Sequence, residues 1–180
     1  MHKRLLGLAG LACVASILGC AHAPSAPNFT LQDDGAGPWT LADQRGKVVL
    51  LTFGFTHCAD TCPAAVGKLA LLTRALGARG RDAEIAFVTV DPARDTPSAL
   101  HRFVTHFEPG SSRVVGLTGA PSAIASVENA YHVWSQRIAH GEFAHSSVIF
   151  LIDARGRIRG LRDESDSEAS LARAVAELLG

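Results

Sequence analysis

The run Val48-Val-Leu-Leu-Thr-Phe-Gly-Phe55, followed at once by Thr-His-Cys-Ala-Asp-Thr-Cys-Pro63, sets the tightest limit on what this chain can fold into. It is nearly all apolar and rich in β-branched and aromatic residues, which suits a central strand buried on both faces. Pro63 fits the first position of a helix, where its missing N–H is not needed, and Val66, Leu69, Leu72 and Leu76 follow with helical spacing up to Gly77. The loop between strand and helix holds Cys58 and Cys62. At i and i+4 on a forming first turn, two Cys side chains share one face, close enough for a common metal ion or for a disulfide. Backbone N–H groups and the positive end of the helix dipole stabilise thiolate there, which favours metal binding and redox exchange alike.

The rest of the chain repeats the alternation of strand and helix. Phe29-Thr-Leu31 and Trp39-Thr-Leu41 flank Asp33-Asp34-Gly35 as an N-terminal hairpin. Ile85–Val90 reads as a second buried strand, stopped by Asp91-Pro92. Thr96-Pro97 caps a helix with Leu100, Phe103, Val104 and Phe107 on one side. Val114–Leu117 is a short strand, and Pro121 opens a helix through Ile124, Val127 and Tyr131. Residues 138–144 read as an irregular polar link, 146–152 as a long strand, and 157–160 as its continuation after a turn. Ser165-Asp-Ser-Glu168 resembles a capping box that starts a last helix. This order predicts an α/β domain of thioredoxin-like fold, a central mixed sheet flanked by helices with an N-terminal hairpin. The cysteine spacing is one residue longer than the Cys-x-x-Cys of ordinary thioredoxins, so plain dithiol exchange does not follow automatically.

Length and composition bound the partners. A chain of 180 residues that is 47% hydrophobic can bury one good core, and one compact domain is expected. Seventeen basic residues balance seventeen acidic ones without a basic block, which excludes an electrostatic footprint for nucleic acid. His2-Lys3-Arg4, the apolar stretch Leu5–Leu18 and Gly19-Cys20 read as a signal peptide over residues 1–19, too short to span a membrane comfortably. Ile17-Leu18-Gly19-Cys20 resembles a bacterial lipobox, in which the Cys is acylated and becomes the new N-terminus. The expectation is an exported lipoprotein, anchored through Cys20 on the periplasmic or extracytoplasmic side, with each buried methylene contributing about 0.8 kcal/mol. Residues 20–28, small, polar and Pro-rich, read as a flexible tether, leaving 29–180 as the folded domain. Once the signal and its Cys13 are cut away, Cys58 and Cys62 are the remaining thiols. Exported thiol pairs normally join as a disulfide, although a bridge closing so small a loop restrains little chain entropy.

Two sulfurs leave a transition-metal shell incomplete, and a His is the natural third donor. Of the eight His residues, His2 leaves with the signal, His22 lies in the tether, and His101, His106 and His132 fall at surface positions. His57, His140 and His145 remain. The best placed is His145, directly before a buried strand whose end can face the helix start.

Taken together, 48–63, Val88-Thr-Val-Asp-Pro-Ala-Arg-Asp-Thr-Pro97, Gly116-Leu-Thr-Gly119 and His145-Ser-Ser-Val-Ile-Phe-Leu-Ile-Asp153 resemble the Sco/SenC family in order, over about residues 29–160. The resemblance implies a thioredoxin-like fold with a copper site of two Cys and one His, here Cys58, Cys62 and His145. It also implies a role in delivering copper to, or reducing the cysteines of, the dinuclear copper centre of cytochrome c oxidase. The copper-bearing oxidase subunit and a copper donor protein are the implied partners. The family often has Pro after the first Cys and Asp before the His, where this chain has Ala59 and Ala144; Asp60 and Asp91 match family positions near the site, where a turn or helix-start role competes with a functional one.

Copper suits this ligand set in both oxidation states: thiolates favour Cu(I), and two thiolates with an imidazole can hold Cu(II). Zinc could occupy the same donors without redox chemistry. Three function classes follow: a membrane-anchored copper metallochaperone, an exported thiol-disulfide oxidoreductase using Cys58 and Cys62 as a Cys58–Cys62 redox pair, and a peroxiredoxin-type peroxidase, which would need Thr56 and an Arg arranged around one nucleophilic Cys.

Overall fold

The computed structural model describes residues 23–107 and 112–180. The stretch 48–55 is indeed the centre: β3 (Val48–Gly54) has every residue buried. It pairs in parallel with β4 (Ala83–Thr89), also buried throughout, from Val48 opposite Ala83 to Gly54 opposite Thr89. β4 pairs in parallel with β5 (Arg113–Thr118). The N-terminal hairpin of β1 (Thr30–Asp33) and β2 (Pro38–Thr40) adds antiparallel to β5. On the other side β8 (Val148–Ile152) runs antiparallel to β3, and β9 (Ile158–Asp163) antiparallel to β8. The sheet order is β2-β1-β5-β4-β3-β8-β9, a mixed sheet whose three central parallel strands all end at the same edge. Because β8 runs the other way, its first residues lie at that edge too.

Helices cover both faces, as the absence of wet positions in β3 and β4 requires. Phe87 of β4 meets Phe103 of α2 (Pro97–Val104) with ring centroids 4.9 Å apart on one face. α1 (Thr61–Ala75) and α4 (Glu168–Leu179) bury Val66, Leu69, Leu171 and Val175 in the same core. On the opposite face Tyr131, which ends α3 (Pro121–Ala130), packs against Phe53 and Phe150 at 6.2 and 5.0 Å. The fully buried Glu84 of β4 is held by the Trp39 indole N–H at 2.7 Å and by Lys47 at 3.0 Å, so its charge is paired rather than stranded.

Local expectations were met with four shifts. α1 starts at Thr61, so Pro63 is its third residue and not its first; the N–H it lacks is still one of those without a partner inside the helix. α4 is capped by Ser167, whose side chain accepts from the Ser170 N–H, because Ser165 is drawn into a turn on the Asp163 carboxylate. The link at 138–144 is not irregular: β6 (Ser135–Arg137) and β7 (Phe143–His145) form a two-stranded hairpin outside the main sheet. Its tip turns through His140 and Gly141, both at positive φ. Residues 24–28, read as tether, are docked: the Ala26 N–H bonds to Gly156 O, the Ile158 N–H to Pro24 O, and the Tyr131 hydroxyl to Pro27 O. Composition alone registered the Pro content but not the Gly156 carbonyl and the Ile158 N–H that wait at the start of β9. Residues 1–19 and Cys20 lie outside the described residues, and among the described residues no helix is long and apolar enough to cross a membrane.

Candidate metal centre

Three pieces of chain meet at the sheet edge where β3 ends. β3 delivers Cys58 through a short loop in which the Cys58 N–H bonds back to Phe55 O. α1 carries Cys62 in its first turn, and β7 carries His145 as its last residue. The Cys62 sulfur lies 3.7 Å from His145 Nε2. His145 Nδ1 is 3.1 Å from the Ser146 carbonyl oxygen, which can only accept, so Nδ1 bears the proton and the Nε2 lone pair faces the sulfur. The ring stands edge-on to Phe55 at 6.2 Å.

The cysteines are free thiols with opposite surroundings. Cys62 is 1% exposed. Burial pushes its thiol well up, outweighing a Phe55 backbone contact, and Cys58 and Glu164 push the same way. For Cys58, partial burial also opposes ionisation, but the Thr61 hydroxyl at 3.1 Å and the N–H groups of Cys62 and Asp60 outweigh it and hold the thiol below its ordinary value. The Cys62 N–H donates to the Cys58 sulfur at 3.3 Å, the expected use of an unpaired first-turn N–H. Cys58 is therefore the accessible, more acidic sulfur and Cys62 the buried, protonated one. An open groove of about 620 Å³ adjoins Cys58, lined by His57, Pro63, Phe103 and Phe107 among others.

The donor set fits a soft metal ion. Bonds of about 2.3 Å to sulfur and 2.0 Å to nitrogen, opening at roughly 110–120°, separate the two donors by about 3.5–3.7 Å, the spacing found between Cys62 and His145. Cys58 is turned toward Thr61 instead. Among the described residues no group of three His, Cys, Asp or Glu side chains is closed tightly enough to hold an ion as it stands.

The remaining candidates separate clearly. His57 points to Thr56 and to Asp95, 3.6 Å away, and His140 sits in the hairpin tip. Asp60 precedes α1 without any side-chain capping bond. The Asp91 carboxylate is shared by Arg94 and Arg137. Thr56 gives both its N–H and its hydroxyl to the buried Asp95, so its hydroxyl is not available to assist Cys58 and the peroxidase reading loses its support.

Two residues escaped sequence reasoning. Glu164, after β9, is pushed up by burial against the hydrogen bond from Thr52 and the attraction of His145; it lies in a turn with no motif to announce it. Gly54 did carry a signal, a glycine inside an otherwise apolar strand. A Cβ there would sit 2.7 Å from the Phe87 ring and 2.9 Å from the Cys62 sulfur. Gly54→Ala is expected to cost about 1–3 kcal/mol by overpacking. Chemical denaturation of the reduced protein measures it, and an unchanged midpoint would show that the ring and the sulfur give way freely.

A thioredoxin-like domain with two cysteines at the start of the helix after its central strand, and a histidine brought beside them, is the class that fold and site define. The sequence model of the SCO1/SenC family matches residues 20–180, and the chain belongs to that family. A SCO2-like protein of Rickettsia conorii is 32% identical over 173 residues, covering 85% of this chain and 82% of its own. Arabidopsis thaliana ScoI with copper bound superposes with a TM-score of 0.78 at 31% identity, covering 86% of this chain and 97% of its own. Bradyrhizobium japonicum ScoI with copper bound gives 0.76 at 28% identity, covering 87% and 99%.

Proposed function

We propose that this protein is a copper-binding metallochaperone, assisting assembly of the dinuclear copper centre of cytochrome c oxidase, with Cys58, Cys62 and His145 as the ligands of its cargo. The approach of His145 Nε2 to the Cys62 sulfur, with its lone pair turned to that sulfur, carries the reading. Membership of a family with copper-bound relatives supports the choice of metal, and so does the softness of two thiolates. A third bond from Cys58 requires its side chain to leave Thr61. Partners on this reading are the copper-bearing oxidase subunit and a copper donor protein, met at the exposed edge of the sheet. Acylation at Cys20 would keep the domain at the membrane where that subunit is assembled.

The asymmetry of the thiols favours a second use of the same pair as an exported thiol-disulfide oxidoreductase. Cys58 thiolate attacks a partner disulfide and releases one partner thiolate; Cys62, losing its proton, then attacks the mixed disulfide, leaving a Cys58–Cys62 bridge and a fully reduced partner. Two electrons pass to the partner, and the proton lost by Cys62 goes to a released partner thiolate.

Anaerobic titration of the reduced protein with Cu(I) and Cu(II), followed by thiol counting, tests the main reading. One copper per chain with both thiols protected is expected. Binding no tighter than that of a Cys58→Ser, Cys62→Ser double variant would overturn it.

A further inference from the structure

His145 is carried on a hairpin that cannot hold itself in place. β6 and β7 have three residues each and pair only with one another, and a lone two-stranded hairpin is marginally stable at best in water. Its tip residue His140 adopts φ 60°, which adds no stability for a side chain with a Cβ. Something outside the hairpin must fix the ring beside Cys62.

The structure supplies an anchor from the loop after β4. Asp91 is 1% exposed, and each of its oxygens is taken by a different guanidinium. Arg137, the last residue of β6, reaches Asp91 Oδ1 at 2.9 Å; Arg94 bonds to Oδ2 and extends its other end to Gly141 O in the hairpin tip. Asp91 thus ties the hairpin at the end of β6 and, through Arg94, at its tip. Arg137 is opposite Phe143, and side chains two residues apart share a face, so Ser135, Arg137, Phe143 and His145 all face one way. The Arg137 guanidinium lies over the Phe143 ring at 5.1 Å, Phe143 packs on Phe55 at 5.6 Å, and Phe55 meets His145 edge-on. A buried carboxylate with charged partners is costly to leave unpaired, so the tie resists opening.

We propose that Asp91 and Arg137 are positioning residues for His145: their ion pair holds the β6–β7 hairpin so that Nε2 faces Cys62, without touching the metal. The inference rests on the proposed ligand set for its consequence in metal binding, but its mechanical half stands in the metal-free protein.

Arg137→Met keeps the stem, removes the charge and alters a side chain already half exposed, so the fold should survive; Asp91→Asn is the complementary variant. In the metal-free, reduced protein, hydrogen exchange at the Ile138 and Ser146 amides, which close the hairpin, should accelerate at least about tenfold in Arg137→Met, while β3 and β4 amides keep their protection. Cu(II) affinity should fall about 10–100-fold, the range for outer-shell partners. The thiolate-to-copper absorption should weaken in the direction of its loss in His145→Ala, and the alkylation rate of Cys58 should stay within about twofold, since the first turn of α1 is untouched. Arg137→Lys should recover part of the loss. In a double-mutant cycle the effects of Asp91→Asn and Arg137→Met should be strongly non-additive. Wild-type hairpin exchange in Arg137→Met, or simple additivity, overturns the proposal; faster exchange spread equally over β3 and β4 would reduce the pair to general stability and overturn it as well. A wild-type protein that binds no copper defeats the ligand reading instead, and the exchange measurement still decides the anchor.

Discussion

His145→Ala is expected to abolish Cu(II) binding and its thiolate charge-transfer absorption while leaving measurable Cu(I) affinity. Cu(II) needs the imidazole to complete a tetragonal shell, whereas two thiolates satisfy much of what the softer Cu(I) requires. The loss should exceed the roughly 10–100-fold that follows from disturbing outer-shell partners. Disulfide formation between Cys58 and Cys62 should proceed as before, because exchange passes through the sulfurs and a mixed disulfide. Replacing either cysteine should remove both activities. In cells the informative comparison is oxidase copper-centre assembly at low copper, with His145→Ala as the sole source of this protein. Full assembly there would mean that delivery through His145 is not the required role, and the oxidoreductase reading would take its place.

The second large effect is a difference between the thiols. In the reduced, metal-free protein an alkylating reagent should modify Cys58 at least about a hundredfold faster than Cys62. The thiolate is the nucleophile, and each unit separating two thiol pKa values changes the ratio of their thiolate populations tenfold. Burial holds Cys62 protonated, whereas Thr61 and the first-turn N–H groups hold Cys58 below the ordinary thiol value. Cys58 reactivity should climb with a midpoint below that of a free thiol and fade as acid reprotonates it, while Cys62 stays unreactive well into the alkaline range. Peptide mapping after brief labelling at a series of pH values measures both curves; equal rates, or Cys62 labelled first, would reverse the assignment of the attacking sulfur. A related consequence concerns the metal: capturing copper must strip the proton from Cys62, so binding should release protons and weaken in acid.

Much of the scaffold was legible in the chain because its signals are local. A strand buried on both faces has to be apolar at nearly every position, and 48–55 departs from that only at Thr52. A helix start has to tolerate unpaired N–H groups, and the Thr61-Cys62-Pro63 sequence declares one, misplaced only by two residues. Hence the cysteine pair could be set at the end of a central strand with no knowledge of the rest of the fold. His145 could be favoured for its position before a strand, but the choice over His57 and His140 came from family resemblance.

What tertiary structure decided lies between residues far apart in the chain. The antiparallel direction of β8 is what brings residue 145 to the edge where β3 ends, and no pattern within 146–152 records direction. The hairpin at 135–145 is polar and has only three residues per strand, too short for a period of two to register, and it persists through Asp91, Arg94 and Phe55, which belong to other elements. Composition marked 24–28 as a tether; free backbone partners on β9 turned it into part of the folded body. The unequal acidity of Cys58 and Cys62 likewise has no counterpart in a motif that treats them alike. Desolvation and hydrogen bonding depend on what surrounds each sulfur in space, and four residues of separation along a helix suffice to bury one and leave the other at the surface.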